Sequence, residues 1–245
     1  MRKRILIMAI GGLFIREASS LSLQQLIEEA KARHRRFEET TKDLAILQEA
    51  TTFSPPKEII SKIRLFKKQK RWRLESVVIK PIEKKTILIH DGKDTVMVTS
   101  LGKRKLSEKE SKGIQVEVNW WEIKTSEAKI MGTESLEGKE CYMVEMKEKG
   151  NLIIKMWIDK DDLVLIKTET KQGEDESLVY EYSDFRKVGS SWKMPCKTII
   201  SQNNEVISTV VTKSIEINKG LPNKLFDPNE EKGPKMLDIL KEVFD

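Results

Sequence analysis

Two histidines and two cysteines are all that this 245-residue chain holds of the residues that most often make nucleophilic or metal sites. His34 and His90 lie far apart, so a Ser-His-Asp or Cys-His arrangement has few ways to form. Neither the histidines nor Cys141 and Cys196 have metal-ligand spacing. No glycine-rich phosphate loop is present. Asp159-Lys160-Asp161-Asp162 holds three carboxylates but lacks the spacing of a calcium loop, and reads as a solvated turn. No apolar run is long enough to span a bilayer, since the longest, Ile5–Ile15, covers about 11 residues. These scarcities weigh against an enzyme, and no catalytic residue, metal or cofactor is expected.

Charge of one sign is also scarce beyond the N-terminus. The formal net charge is +6, and half of it comes from Arg2, Lys3, Arg4 and Arg16 against Glu17. In the remainder Lys and Glu are interspersed, which argues against a nucleic-acid-binding stripe. Hydrophobic residues make up 38% of the chain and charged residues 34%, in keeping with a soluble globular domain of modest core. Met1-Arg2-Lys3-Arg4, the short apolar run and the small residues Ala18-Ser19-Ser20 form the pattern of a secretory signal cleaved after Ser20, with a retained anchor as the other reading. No cysteine adjoins that site, so lipid modification there is excluded. The expected product is free in an extracytoplasmic space, where Cys141 and Cys196 are either one disulfide or two buried thiols.

What the sequence has in quantity is alternation. In Arg71–Ile79, Trp72, Leu74, Ser76 and Val78 share one parity, with Arg73 and Glu75 on the other. This predicts a strand with one apolar and one polar face. Ile87–Ile89 and Val96–Val98 flank Asp91-Gly92-Lys93-Asp94, a strong hairpin signal. Upstream, Leu23, Leu26, Ile27, Ala30, His34 and Phe37 recur at helical spacing behind Ser22 and Gln25, which form a capping-box pattern. His34 sits on the apolar side of that helix and reads as a core or helix-end histidine.

Mixed strand character follows from Thr40 to Thr52. Pro55-Pro56 breaks the chain, and a strand is predicted from Ile59 to Phe66. Gly102–Gly113 reads as a loop or a surface helix. Ile114–Ile123 suits helix and strand equally, and of Trp120 and Trp121 one is expected inside and the other over a groove. Six further strands are predicted: Ile130–Ser135, Glu140–Met146, Leu152–Ile158, Leu163–Thr170, Leu178–Val188 and Trp192–Ile200. Val206–Asn218 is a last long one. Strands recurring about every ten residues with tight turns predict an antiparallel sheet or barrel. Pro222 and Pro228 end it, and Met236, Leu237, Leu240 and Phe244 predict a short amphipathic C-terminal helix.

Taken together, the leader, the first helix, the strand Arg71–Ile79 and I-L-I-H-D-G-K-D-T-V-M-V resemble the periplasmic outer-membrane lipoprotein carriers, the LolA-like family. M-G-T-E-S-L-E-G-K-E-C-Y-M-V, M-W-I-D-K-D-D-L-V-L-I-K, Y-S-D-F-R-K-V and I-N-K-G-L-P-N-K-L-F-D-P resemble the broader lipoprotein-sorting relatives, so the likeness covers nearly all of the chain after the leader.

The resemblance implies an α+β, mainly antiparallel β fold: an unclosed half-barrel with helices over its open side. Residues 21–228 would form that lipid-binding domain, between a signal peptide at 1–20 and a tail at 229–245. It implies a periplasmic carrier, monomeric, with lipoprotein or lipid as cargo and transient inner- and outer-membrane transfer partners. The expected lipid-facing set is Phe66, Trp72, Leu74, Val78, Leu88, Val96, Val98, Trp121, Tyr142, Val144 and Met156. Ordinary core packing is the competing account for each of them singly, and the cavity-facing parity of each strand stays open. The family's carriers hold the lid with an arginine in the turn before the second strand of the meander. Here Lys68 falls closest and is the candidate lid contact, although lysine lacks the planar fork. Another reading is a lipid sensor similar to the periplasmic proteins that bind anti-sigma factors. Those usually carry a second domain, for which little chain remains after Phe226.

Overall fold

The structure is a computed structural model that describes residues 21–231 apart from 82–83, 115–118, 149, 174–175 and 190–191. The proposed leader and the C-terminal amphipathic helix lie outside the described residues. The chain opens with helix α1, Leu23–Thr40. Ser22 caps it: its side chain accepts from the Gln25 N–H, and the Gln25 side chain accepts from the Ser22 N–H in return. Leu26, Ile27, Ala30 and Phe37 of the predicted stripe are buried.

A run of antiparallel strands follows: β1 (Leu44–Ser54), β2 (Lys57–Lys68), β3 (Arg71–Lys80), β4 (Lys84–His90), β5 (Thr95–Thr99) and β6 (Gly102–Lys105). Helix α2 (Glu108–Lys112) and a 3-10 turn (Trp120–Glu122) lead into a second run. It comprises β7 (Ala128–Leu136), β8 (Lys139–Glu148), β9 (Leu152–Asp159), β10 (Leu165–Gln172), β11 (Glu176–Val188), β12 (Trp192–Gln202) and β13 (Glu205–Ile217). All thirteen belong to one sheet, ordered β6-β5-β4-β3-β2-β1-β13-β12-β11-β10-β9-β8-β7. Each run is therefore a meander, and the pairing of β1 with β13 welds the two together. The edges β6 and β7 do not meet, so the barrel is unclosed, as expected.

Turn chemistry sets the hairpins. Asp91 Oδ1 accepts from the N–H groups of Lys93 (2.8 Å) and Asp94 (2.9 Å), and Gly92 takes a positive φ of 102°. Those N–H groups, that of Asp94 foremost, hold the Asp91 carboxyl below its usual pKa. Asn203 and Asn204 turn β12 into β13 with both φ values positive, the conformation of a tight primed hairpin.

Gly102–Gly113 resolves into both an edge strand and a helix. The strand Gly-Lys-Arg-Lys has no apolar side for a pattern to show, and its charges suit an unpaired edge. Around Trp120 the chain is neither α-helix nor strand but a 3-10 turn, and both tryptophans are buried. Cys141 and Cys196 are buried free thiols.

One expectation reverses. The apolar parity of β3 is half-exposed, whereas Arg73 and Glu75 are fully buried (0% and 1% exposed). The reason is a second cover. The segment after β13 folds back over the other side of the sheet, and its Leu221, Leu225 and Phe226 pack on Ala45 and Phe66. Arg73 then donates to Glu75 (2.6 Å), to Glu231 (2.7 Å) and, at 3.5 Å, to the carbonyl of Leu225. A buried guanidinium with matched carboxylates is tolerated because its charge and donors are met. Asp43 anchors the same segment, accepting from the N–H groups of Lys219, Gly220 and Leu221 at 2.8–3.2 Å. The sheet thus has a helix face, under α1, and a strap face, under residues 219–231.

Candidate functional site

Register assigns the residues to these faces, because cross-strand partners point the same way. Ile215, Ile46, Leu65, Leu74, Leu88 and Met97 pair in succession from β13 to β5. Leu44, Ile46 and Leu65 form a buried cluster, against which Leu74 and Ile217 pack. On the other half, Val144, Met156, Ile158, Leu165 and Tyr182 pack beneath Leu26, Ile27 and Ala30 of α1. The helix covers the β7–β11 side closely.

Past the middle of the helix the contact parts, leaving a cavity of about 220 Å³. Its lining comes from every surrounding element: His34 and Phe37 of α1, Trp120 and Trp121 of the 3-10 turn, Ile46 and Gln48 of β1, and Leu65 of β2. Tyr182 of β11 and Trp192, Met194 and Thr198 of β12 close it. The aromatic wall is a connected cluster. The Trp121 and Trp192 rings meet edge-on at 5.3 Å, and His34 lies 4.9 Å from the first and 5.1 Å from the second. Trp120 Nε1 donates to the carbonyl of Leu163 (3.0 Å), which fixes the turn that carries both tryptophans. His34 also lies 3.8 Å from Glu38.

Burial, chiefly, pushes the Tyr182 hydroxyl up to about 12, so it presents a neutral phenol to the cavity. Among the described residues no group of His, Cys, Asp and Glu could hold a metal ion. Burial raises Asp159, yet N–H donation from Asp161 and Asp162 together with Lys139 (3.0 Å) outweighs it and holds the carboxyl low. The acidic turn is therefore a structural cap.

The expected lipid-facing residues divide into four groups. Trp121 lines the cavity. Tyr142, Val144 and Met156 lie on the helix face beneath α1, in its packed half. Trp72, Leu74, Val78 and Leu88 share the helix face and are half-buried. Phe66, Val96 and Val98 belong to the strap face: Phe66 pairs with Arg73, Arg73 with Ile89, and Ile89 with Val96, while Val98 pairs with Ile87. Lys68 is on that face too, and donates to the carbonyl of Leu221 at 2.6 Å. Its neighbour Lys67 makes the contact with the helix, 3.4 Å from Glu38.

Tyr182, Trp192 and Met194 are lining residues that the strand pattern left unmarked. Phe37 and His34, on the apolar stripe of the helix, line the cavity as well.

A family model described only as an uncharacterized protein matches residues 121–230. Among curated proteins none matches the sequence. Solved structures do. A putative outer-membrane lipoprotein-sorting protein domain from Vibrio parahaemolyticus superposes with a TM-score of 0.63 at 12% identity, covering 85% of this chain and 97% of that one. A LolA superfamily protein from Nitrosomonas europaea gives 0.57 at 14%, covering 86% and 99%. The fold is shared with these two structures. A protein from Desulfovibrio piger, of a family whose function is undefined, shares it, with a TM-score of 0.62 at 14% identity over 84% of this chain and 98% of that one. At these identities the likeness is one of architecture alone.

Proposed function

We propose that the protein is a periplasmic carrier that shields acyl chains of a lipid or lipoprotein between α1 and the sheet during transfer toward the outer membrane. The observation that carries this reading is the aromatic-walled cavity beneath α1, continuous in face and register with the half-buried Leu74 and Leu88. A lipid anchor gains about 0.8 kcal/mol per buried methylene, so a multi-chain lipid needs such shelter to cross water. Shielding requires no reaction chemistry. The LolA-type fold supports a carrier role, with the leader supplying export, the lipid as cargo, membrane-anchored partners at either end of the route, and a monomer in between.

Size sets a condition on the mechanism. At about 220 Å³ the cavity is smaller than the ~300–1,000 Å³ of ordinary ligand pockets, and takes part of one acyl chain. Larger cargo needs α1 to move from the sheet. Its polar ties to the rest of the molecule include Arg33 to the carbonyl of Asp161 (2.6 Å), Glu38 to Lys67, and the Thr40 carbonyl to Asn218 (3.0 Å).

The experiment is native mass spectrometry of protein purified from a bacterial periplasm without detergent. An adduct identified by organic extraction as phospholipid or lipoprotein establishes the carrier and names the cargo class. A bare mass, together with no uptake of added lipid or lipopeptide, refutes it.

A further inference from the structure

The described residues include five large apolar side chains that are strongly exposed, and four of them gather at one rim of the sheet. Phe53 (43% exposed) is near the end of β1, Ile79 (42%) near the end of β3, Leu101 (98%) in the turn from β5 to β6, and Val206 (47%) at the start of β13. In an antiparallel meander these are all the same end. β1 ends where β2 and β13 begin, β3 ends where β4 begins, and β5 ends where β6 begins. With neighbouring strands about 4.8 Å apart, the positions from β13 to β5 span an arc of about 24 Å.

Singly exposed apolar residues need no explanation, but a row of four along one rim does. The lysines of the same strand ends match it. Lys57, Lys80, Lys84 and Lys85 stand there without an ion pair among the described residues, against Glu58, Glu205 and, by its place in the sequence between β3 and β4, Glu83.

We propose that this rim docks on the surface of an anionic lipid bilayer, with Phe53, Ile79, Leu101 and Val206 entering the interface and the lysines meeting the headgroups. Apolar side chains that project from a basic edge gain free energy from both parts of such a surface, the acyl boundary and the anionic headgroups. The inference stands on the surface alone and goes beyond the carrier reading.

The test uses the full chain with fluorescent labels placed by Leu101→Cys or, as control, Met131→Cys, the exposed apolar position on β7, six strands from β13 across the sheet. Cys141 and Cys196 are buried and stay unlabelled in the native protein. Vesicles of phosphatidylethanolamine with phosphatidylglycerol should shift the Leu101 label to the blue and leave the Met131 label unchanged. Phosphatidylethanolamine vesicles without phosphatidylglycerol, or high salt, should diminish the effect.

Phe53→Ser with Val206→Ser should weaken vesicle binding on the order of tenfold, measured by sedimentation. Every variant carries the same first twenty residues, so differences between variants report the rim. The proposal is overturned by an unshifted Leu101 label, by equal shifts at both positions, or by a double variant that binds like the parent. Uptake of a soluble fluorescent fatty acid by the same variants reads the cavity separately. A parent that takes up no fatty acid counts against the carrier reading, and a parent that takes it up but does not bind anionic vesicles counts against the rim alone.

Discussion

Replacing Arg73 by methionine isolates the buried charge cluster of the strap face. The substitution keeps the length of the side chain and its apolar stem, and removes the guanidinium that joins Glu75 at 2.6 Å, Glu231 at 2.7 Å and the Leu225 carbonyl at 3.5 Å. Two carboxylates, 1% and 4% exposed in their side chains, then lose their shared cation. Arg64, 3.7 Å from Glu75, remains beside only one of them. Breaking a buried pair from one side costs about 3–5 kcal/mol, because the surviving charge is left desolvated. With a urea dependence of about 2–3 kcal/mol per molar, the unfolding midpoint should fall by about 1–2 M.

The two-residue cycle is the sharper assay. Arg73→Met combined with Glu231→Gln should cost less than the sum of the single changes by about 1–2 kcal/mol, since the double variant leaves one charge fewer unmatched. Limited proteolysis should meanwhile find new cleavage within 219–231. Uptake of a fatty-acid probe should not change, because the cluster is on the face opposite the cavity. A single variant within about 0.5 kcal/mol of the parent, or costs that simply add, would refute the account of the strap as tied down through Arg73.

Leu74→Glu places a charge on the helix face beside Ile46 and Leu65, so it should abolish lipid retention in native mass spectrometry while far-UV dichroism stays native; retained lipid removes β3 from the binding surface. Both thiols are raised mainly by burial, so Cys141 and Cys196 should resist alkylation until the protein unfolds, and rapid native labelling of either would contradict its placement. Tyr182 titrates at about 12 when folded against an ordinary value near 10, so the unfolded chain releases its proton first. Its contribution, on the order of 2 kcal/mol, is whole below pH ~10 and is lost as pH rises toward 12. Tyr182→Phe should accordingly flatten the alkaline part of the stability curve, and an unchanged curve would show that other groups control it.

The sequence by itself determined the local structure. Capping at Ser22, the apolar stripe of α1, the Asp91-Gly92 and Asn203-Asn204 turns and the alternation of the long strands are short-range properties, written in neighbours within a few residues of one another. Since consecutive strands joined by tight turns almost dictate an antiparallel meander, the class of fold was legible as well. Strand β6 was not, because an edge strand faces water and needs no apolar side.

Only the tertiary structure decided which parity is covered, and by what. Alternation shows that a strand has two faces, but both sides of this sheet have a cover, so burial on β3 follows the strap and not the hydropathy of Trp72 and Leu74. Arg73 and Glu75 are inside because Glu231 and the Leu225 carbonyl, about 150 residues away, meet their charge and donors. For the same reason Phe66, Val96 and Val98 divide from Leu74 and Leu88, and Trp192 and Tyr182 come to face Phe37 and His34. A cavity is the space that distant elements fail to fill, and no local pattern encodes it.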